Sequence, residues 1–131
     1  MTIKLGSLAA DITKERSGDW IEPESWPGLN PKKPLEQVPL PGLAFHVRST
    51  NYPPYVTARQ AALEEAKRAY PNEDMPPDEA ARIEGRLAVE HLLLDWRGLD
   101  IEFSTDAVAT ILAAEEHRVL RSMIFWCAGQ V

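Results

Sequence analysis

The chain has 131 residues, of which 44% are hydrophobic and 26% are charged, so it has the size and composition of one soluble globular domain. Its formal net charge of −6 argues against a general nucleic-acid binder, because an acidic surface repels phosphate. No apolar run is long enough to span a bilayer, and residues 1–10 lack the continuous apolar stretch of a secretory signal, so we expect neither a nucleic-acid nor a membrane partner.

Residues 23–41 are rich in proline and interrupt what we expect to be a single domain over residues 1–131. They hold six of the eleven prolines, which predicts a loop with little regular structure. Two short strands are predicted on either side of this loop, one over residues 19–22 and one over residues 43–49. In the second strand Leu43, Phe45 and Val47 alternate with more polar positions, which is typical of a strand with one buried face. We expect the two strands to pair in antiparallel orientation.

Residues 55–128 are predicted to be helical. Thr57 with Gln60 fits a capping box at the start of the first helix, and Pro71 ends that helix. Leu63, Ala66 and Tyr70 form its predicted buried stripe.

A second helix is predicted to begin after Pro77 and to run to about Asp95, with its apolar second half at the centre of the core and Gly98 ending it. Ser104 or Thr105 can cap a third helix. Residues 115–118 interrupt the apolar pattern beyond it, which favours two helices with a kink and leaves one long helix as the alternative. The predicted fold class is therefore α+β, mostly α, with a short antiparallel strand pair followed by three or four packed helices.

Few residues are arranged for catalysis or for a cofactor. The phosphate-binding, dinucleotide-binding and nucleophile-elbow motifs are absent from the sequence. The lone Cys127 lies on the apolar face of a predicted helix, which favours a buried structural thiol in a reducing compartment. His91 and Asp95 are the only residues with a metal-like spacing, and zinc would need more ligands. We therefore expect no catalytic residues, no metal and no cofactor, and we keep a small metal-dependent enzyme centred on His91, Asp95 and Asp100 as a third hypothesis.

The order of several motifs resembles the tail assembly chaperones of long-tailed bacteriophages, which also occur in prophages and gene-transfer particles. The motifs are Gly18-Asp19-Trp20-Ile21-Glu22, Val47-Arg48-Ser49-Thr50-Asn51, the segment 92–99 with Asp95-Trp96-Arg97-Gly98 at its centre, and Phe103-Ser104. The resemblance extends from about Gly18 to Ala128. It implies structural roles for Trp20, Arg48, Trp96 and Gly98.

The resemblance implies a non-enzymatic protein that binds the tape measure protein during tail morphogenesis. Tail tube subunits and a second copy of the chain are further expected partners. Such chaperones act in the cytoplasm of the bacterial host and usually leave before the virion is complete. A virion-resident tail completion or connector protein is the alternative hypothesis.

A chaperone for a long helical partner needs apolar patches rimmed by charge. The predicted partner-binding residues share an apolar or aromatic side chain and lie on the last helix or in the stiff Tyr52-Pro53-Pro54-Tyr55 segment. They are Leu120, Met123, Ile124, Trp126, Tyr52 and Tyr55. Packing of these side chains inside the monomer is an equally open interpretation.

Overall fold

The computed structural model describes residues 1–131 and has an α+β fold that is mostly α-helical, which confirms the predicted fold class. The α-helices are α1 (Ile12–Ser17), α2 (Pro53–Ala69), α3 (Pro77–Leu87), α4 (Thr105–Ala113) and α5 (Arg118–Gly129). The strands are β1 (Asp19–Ile21), β2 (Ser25–Trp26), β3 (Val38–Pro39), β4 (Ala44–Val47) and β5 (Leu93–Arg97). A π-helical turn covers Ala88–Leu92, and 3-10 turns cover Leu5–Leu8 and Glu115–His117. None of the helices combines the length and the apolar character needed to cross a membrane.

Strand β4 is the centre of a three-stranded antiparallel sheet with the order β1-β4-β5. Trp20 of β1 and Asp95 of β5 both pair with His46 of β4, one on each side. The antiparallel pairing that was predicted for the strands on either side of the proline-rich loop is confirmed, and these strands are β1 and β4. Phe45 and Val47 are fully buried, as their alternation in sequence predicted.

The third strand, β5, is formed by residues that were predicted to end a helix. Helix α3 stops at Leu87, and the chain is extended from Leu93 onwards, so the prediction of a helix to about Asp95 is wrong. A buried strand needs hydrogen-bond partners on both edges, and β1 covers only one edge of β4. The Arg48 N–H donates to the Leu92 carbonyl oxygen at 2.9 Å where this second pairing begins. The requirement of β4 therefore outweighs the helical pattern of the leucine-rich segment.

Gly98 follows strand β5, whereas the sequence predicted that it would end a helix. Its φ is +90°, a region that side chains disfavour, and a Cβ would lie 2.4 Å from the Gly42 carbonyl oxygen. Glycine at position 98 thus allows the turn after β5 to cross closely over the turn before β4.

Both edges of the sheet carry a backbone donor that an aspartate satisfies. The Trp20 N–H donates to Asp19 Oδ1 at 2.9 Å in β1, and the Trp96 N–H donates to Asp95 Oδ1 at 2.8 Å in β5. An edge donor that already has a carboxylate acceptor is less available to another strand. Each edge therefore has one backbone donor fewer to offer to another strand.

Helix α2 begins earlier than the sequence predicted. Pro53 and Pro54 occupy its first turn, where the missing N–H of proline costs little, and Tyr52 precedes it. Thr57 lies inside the helix, so the predicted capping box with Gln60 is wrong.

The other predicted helix boundaries agree with the structure. Helix α2 ends before Pro71, and α3 begins at Pro77. The Ser104 hydroxyl accepts the Ala107 N–H at 3.3 Å at the start of α4. The interruption at residues 115–118 is also confirmed, since a 3-10 turn separates α4 from α5.

The proline-rich loop is more ordered than predicted. Ser25 and Trp26 pair with Pro39 and Val38 in a two-stranded antiparallel ladder, so the expectation of little regular structure is wrong for these residues. Trp26 packs edge-on against Trp126 of α5, with ring centroids 6.3 Å apart. This aromatic contact holds the loop against the last helix.

The hydrophobic core lies between one face of the sheet and helices α3, α4 and α5. Its largest fully buried side chains are Phe45, Val47, Leu92, Val108, Leu112, Ile124 and Cys127. Helices α3 and α4 approach most closely at Gly85, where a Cβ would lie 2.4 Å from the Leu112 carbonyl oxygen. Glycine is therefore required at this position by the close contact of two backbones.

We predict that Gly85→Ala destabilises the fold by about 1–3 kcal/mol, because the added methyl group forces α3 and α4 apart. The matched control is Gly129→Ala, since Gly129 is also helical and nothing lies within 4 Å of a Cβ there. That control should stabilise the protein by up to about 1 kcal/mol through helix propensity. Urea unfolding followed by circular dichroism measures both. Equal free energies of unfolding for the two variants would contradict the close α3–α4 contact.

Candidate partner-binding groove

Helix α2 packs thinly on the rest of the molecule. Only Tyr55 and Ala62 are buried among its 17 residues. Val56 and Leu63 remain about half-exposed, at 45% and 46%. Leu63 belongs to the stripe that the sequence predicted to be buried, so that prediction is wrong for this residue. A helix whose buried side is mostly alanine cannot fill the space beside it.

An apolar groove lies between α2, α3 and α5 as a result. Its cavity has a volume of about 540 Å³, within the range of ligand-binding sites in proteins. Nine of its twelve lining residues are hydrophobic. The residues that line this groove are Tyr55, Arg59, Ala62, Leu63, Ala66, Met75, Ala80, Ile83, Glu84, Leu87, Ser122 and Phe125.

Charged side chains border the groove. An adjoining cavity of about 450 Å³ shares Ala62, Ala66, Met75 and Ile83 with it. Glu65, Glu79, Arg82 and Arg86 also line that second cavity. The groove itself holds Arg59 and Glu84, so its apolar lining lies beside charges of both signs, a combination that protein-binding surfaces share.

A side-chain contact joins the end of α2 to the first turn of α3. The Tyr70 hydroxyl donates to Glu79 Oε2 across the proline-rich turn that joins the two helices. This hydrogen bond to the carboxylate raises the pKa of Tyr70. The contact sets the spacing of the two helices where their backbones are otherwise joined only by residues 70–76.

Arg121 of α5 lies behind the groove and contacts Glu84, one of the residues that line it. Its side chain is buried, and Nη1 donates to the Leu112 and Ala114 carbonyl oxygens at 3.0 and 2.5 Å, at the end of α4. Its Nε lies 3.5 Å from Glu84 Oε2 on the groove wall and makes no hydrogen bond. One buried cation thus joins α3, α4 and α5 beside the groove.

The structure separates the residues that were predicted to bind a partner. Met123, Ile124 and Tyr55 are buried, Leu120 and Tyr52 are half-buried, and Trp126 is largely exposed. Met123 and Ile124 belong to the core of the monomer, so they offer no free surface in this structure. Tyr55 is the one member of the set that lines the groove.

Sequence reasoning missed most of the groove residues, in particular Leu63, Ile83 and Phe125. The alanine-rich face of α2 was the sequence feature that could have indicated a groove. A stripe made mainly of alanine buries little area and leaves neighbouring large side chains partly uncovered.

The motif residues make intramolecular contacts. Trp20 stacks on His46 with ring centroids 5.2 Å apart, and the Arg97 guanidinium lies 4.7 Å from the Trp20 ring centroid on the outer face of the sheet. Arg48 donates from Nε to the Arg16 carbonyl oxygen at 3.0 Å, and its guanidinium lies 4.7 Å from the centroid of Tyr52. These contacts join the first helix, the sheet and the start of α2.

Trp96 closes the turn after β5. It is buried, and its Nε1 donates to the Ile101 carbonyl oxygen at 2.8 Å. Its ring meets that of Phe103 edge-on at 5.6 Å. The tryptophan of the Asp95-Trp96-Arg97-Gly98 motif therefore connects β5 to the segment that leads into α4.

His91 and Asp95 do not share a helix face, because the first lies in the π turn and the second in β5. His91 Nε2 lies 3.7 Å from Glu90 Oε2, and the His91 backbone carbonyl accepts a hydrogen bond from Arg48. No group of three or more His, Cys, Asp or Glu side chains is placed to hold a metal ion.

Cys127 lies in the core, as predicted, and burial raises its pKa from 9.0 to about 11. We predict that iodoacetamide at pH 8 labels the native protein at least about a hundredfold more slowly than the urea-unfolded chain, since the raised pKa alone lowers the thiolate fraction by that factor. Rapid labelling of the native protein would contradict this burial.

The raised pKa of Cys127 also makes stability depend on pH. The neutral thiol stabilises the folded state fully below pH 9, and this stabilisation is lost as the pH rises towards 11.

We predict that Trp96→Phe lowers the free energy of unfolding by about 1 kcal/mol or more, because the Ile101 carbonyl loses its donor while the ring is retained. Trp126→Phe is the matched control, since that indole is largely exposed and should change stability less. Urea unfolding of both variants measures the difference. Equal losses would show that the Nε1 hydrogen bond does not support the turn.

Comparison with known protein families, with characterised proteins and with solved structures finds no match to this chain.

Proposed function

We propose that this chain is a non-enzymatic phage tail assembly chaperone that holds a helical segment of the tape measure protein during tail morphogenesis. The proposal takes the class of protein from the motif resemblance of residues 18–128. It takes the mode of binding from the apolar groove between α2, α3 and α5.

The groove is the observation that carries the proposal. An amphipathic helix binds by laying an apolar stripe, with residues at i, i+3, i+4 and i+7, into a hydrophobic cleft. The floor formed by Leu63, Ile83, Leu87 and Phe125 matches such a stripe. Arg59 and Glu84 line the groove itself and are available to the polar flanks of that helix.

Two further features favour a helix over a strand as the bound element. Asp19 and Asp95 occupy the outward donors of the sheet edges, which makes addition of a strand less favourable. Met75 and the thinly packed α2 form one wall of the groove, and a flexible side chain on a loosely held helix can adjust to different partner sequences.

The test is co-expression of this chain with a tape measure protein from the genome that encodes it. The wild-type chain should keep the tape measure protein soluble and co-purify with it. Leu63→Glu should reduce co-purification at least tenfold, because the substitution places a charge on the apolar groove wall. Leu63 is half-exposed, so the variant should fold normally. Tail tube subunits can be tested as a second partner in the same assay.

The matched control is Leu35→Glu, which adds the same charge at a leucine that is 92% exposed and lies outside the groove. It should co-purify like the wild type. A tape measure protein that stays insoluble with the wild-type chain would contradict the proposal. Presence of the chain in purified particles at fixed stoichiometry would instead support a virion-resident tail protein.

A further inference from the structure

Residues 63–75 form a segment in which no side chain is fully buried. The segment comprises the last part of α2 and most of the turn that joins α2 to α3, and we refer to it as the strap. Tyr55 and Ala62, the two buried residues of α2, both precede it. The strap residues that are half-buried are Ala66, Tyr70 and Met75. Little apolar area would therefore be lost if the strap left the body of the protein.

The side of the strap that faces α3 lies over empty space. Leu63, Ala66 and Met75 line the groove of about 540 Å³, and the last two also line the adjoining cavity of about 450 Å³. Ile83 of α3 lines both cavities from the opposite side. Side chains that face a cavity have no partner atoms there, so they gain little dispersion energy from the opposite wall.

The start of α2, in contrast, is firmly attached to the body. Just ahead of it, the Thr50 N–H donates to the Ala128 carbonyl oxygen at 3.3 Å. The buried Tyr55 ring packs against Phe125 of α5, with centroids 6.3 Å apart. The attachment of α2 therefore weakens along the helix, from its proline-rich start towards its end.

One side-chain contact holds the strap to α3. Beyond the backbone bonds of its own helix, the strap makes a single hydrogen bond to the rest of the molecule, from the Tyr70 hydroxyl to Glu79 Oε2. A hydrogen bond to a charged group contributes more than one between neutral groups. This contact is therefore placed to act as a latch.

We propose that residues 63–75 detach from α3 and unwind as one unit, while the rest of the protein stays folded, and that the Tyr70–Glu79 contact is the latch that keeps them closed. Opening removes Leu63, Ala66 and Met75 from the wall of the groove, so it widens the entrance beside Ile83. The inference goes beyond the proposed function, because it concerns the chain without any partner.

The first experiment is native-state hydrogen exchange of the full chain, followed by NMR. The amides of residues 66–70 should share one protection factor, at least about a hundredfold below that of the Val108 and Leu112 amides in α4. Protection that instead falls residue by residue towards Tyr70 would show ordinary fraying of a helix end. Protection equal to that of α4 would show that the strap opens only with the whole fold. Either result would overturn the proposal.

A core substitution separates local opening from global unfolding. Val108 is fully buried in α4, so Val108→Ala should lower the protection of the α4 amides by about tenfold or more. The strap amides should change less than twofold, because the strap opens while α4 stays folded. Strap protection that falls in step with that of α4 would overturn the proposal.

Removal of the latch tests the Tyr70–Glu79 contact. Tyr70→Phe should lower the protection of the strap amides by about tenfold or more, since it deletes a hydrogen bond to a carboxylate and keeps the ring. Tyr52→Phe is the matched control, because it removes a tyrosine hydroxyl ahead of α2, and it should change strap protection less than twofold. Equal effects of the two substitutions would show that Tyr70 is not a latch.

Trypsin locates the boundary of the opening. Arg59 lies ahead of Ala62 on α2, whereas Lys67 and Arg68 lie in the strap, and all three are exposed. Cleavage needs an unwound segment and follows the population of the open form, so trypsin should cut after Lys67 or Arg68 and leave the bond after Arg59 intact. Cleavage after Arg59 at the same rate would show that α2 opens as a whole and would overturn the assigned boundary.

These experiments are independent of the chaperone proposal. They use the free chain, so failure to co-purify with the tape measure protein would leave the exchange and cleavage results unchanged. A strap that stays closed would in turn leave the co-purification test unchanged.

Discussion

Strand β4 is buried, and its backbone groups need hydrogen-bond partners on both edges because water cannot reach them. Strand β1 pairs with one edge, and the other edge takes β5 out of a segment with a helical apolar pattern. The π turn at Ala88–Leu92 lets the chain pass from helix to strand over a few residues. The core, the aromatic outer face of the sheet and the close turn at Gly98 all depend on this third strand.

The helices pack with unequal closeness, and this inequality creates the groove. Helix α3 meets α4 backbone to backbone at Gly85, and the buried Arg121 ties the end of α4 to both α5 and Glu84. Helix α2 lies on this rigid unit through Tyr55 and a few alanines. One wall of the groove is therefore formed by closely packed helices, while the α2 wall buries little apolar area.

Exposed large apolar side chains are most frequent in residues 1–12, and Leu63 adds one at the groove, while Asp19 and Asp95 each accept one backbone N–H at an edge of the sheet. Such a distribution favours association through helices and disfavours association through strands. The proposed role in holding a helical partner follows from the apolar lining of the groove.

The sequence alone determined the features that depend on neighbouring residues. The ends set by Pro71 and Pro77, the Ser104 cap, the break between α4 and α5 and the burial of Cys127 follow from local chemistry and periodicity. Tertiary structure alone decided that the leucines before Trp96 form a strand, that Met123 and Ile124 lie in the core and that Leu63 stays uncovered. Periodicity shows which side chains share a face, whereas the hydrogen-bond needs of a distant strand and the close contact at Gly85 decide what covers that face.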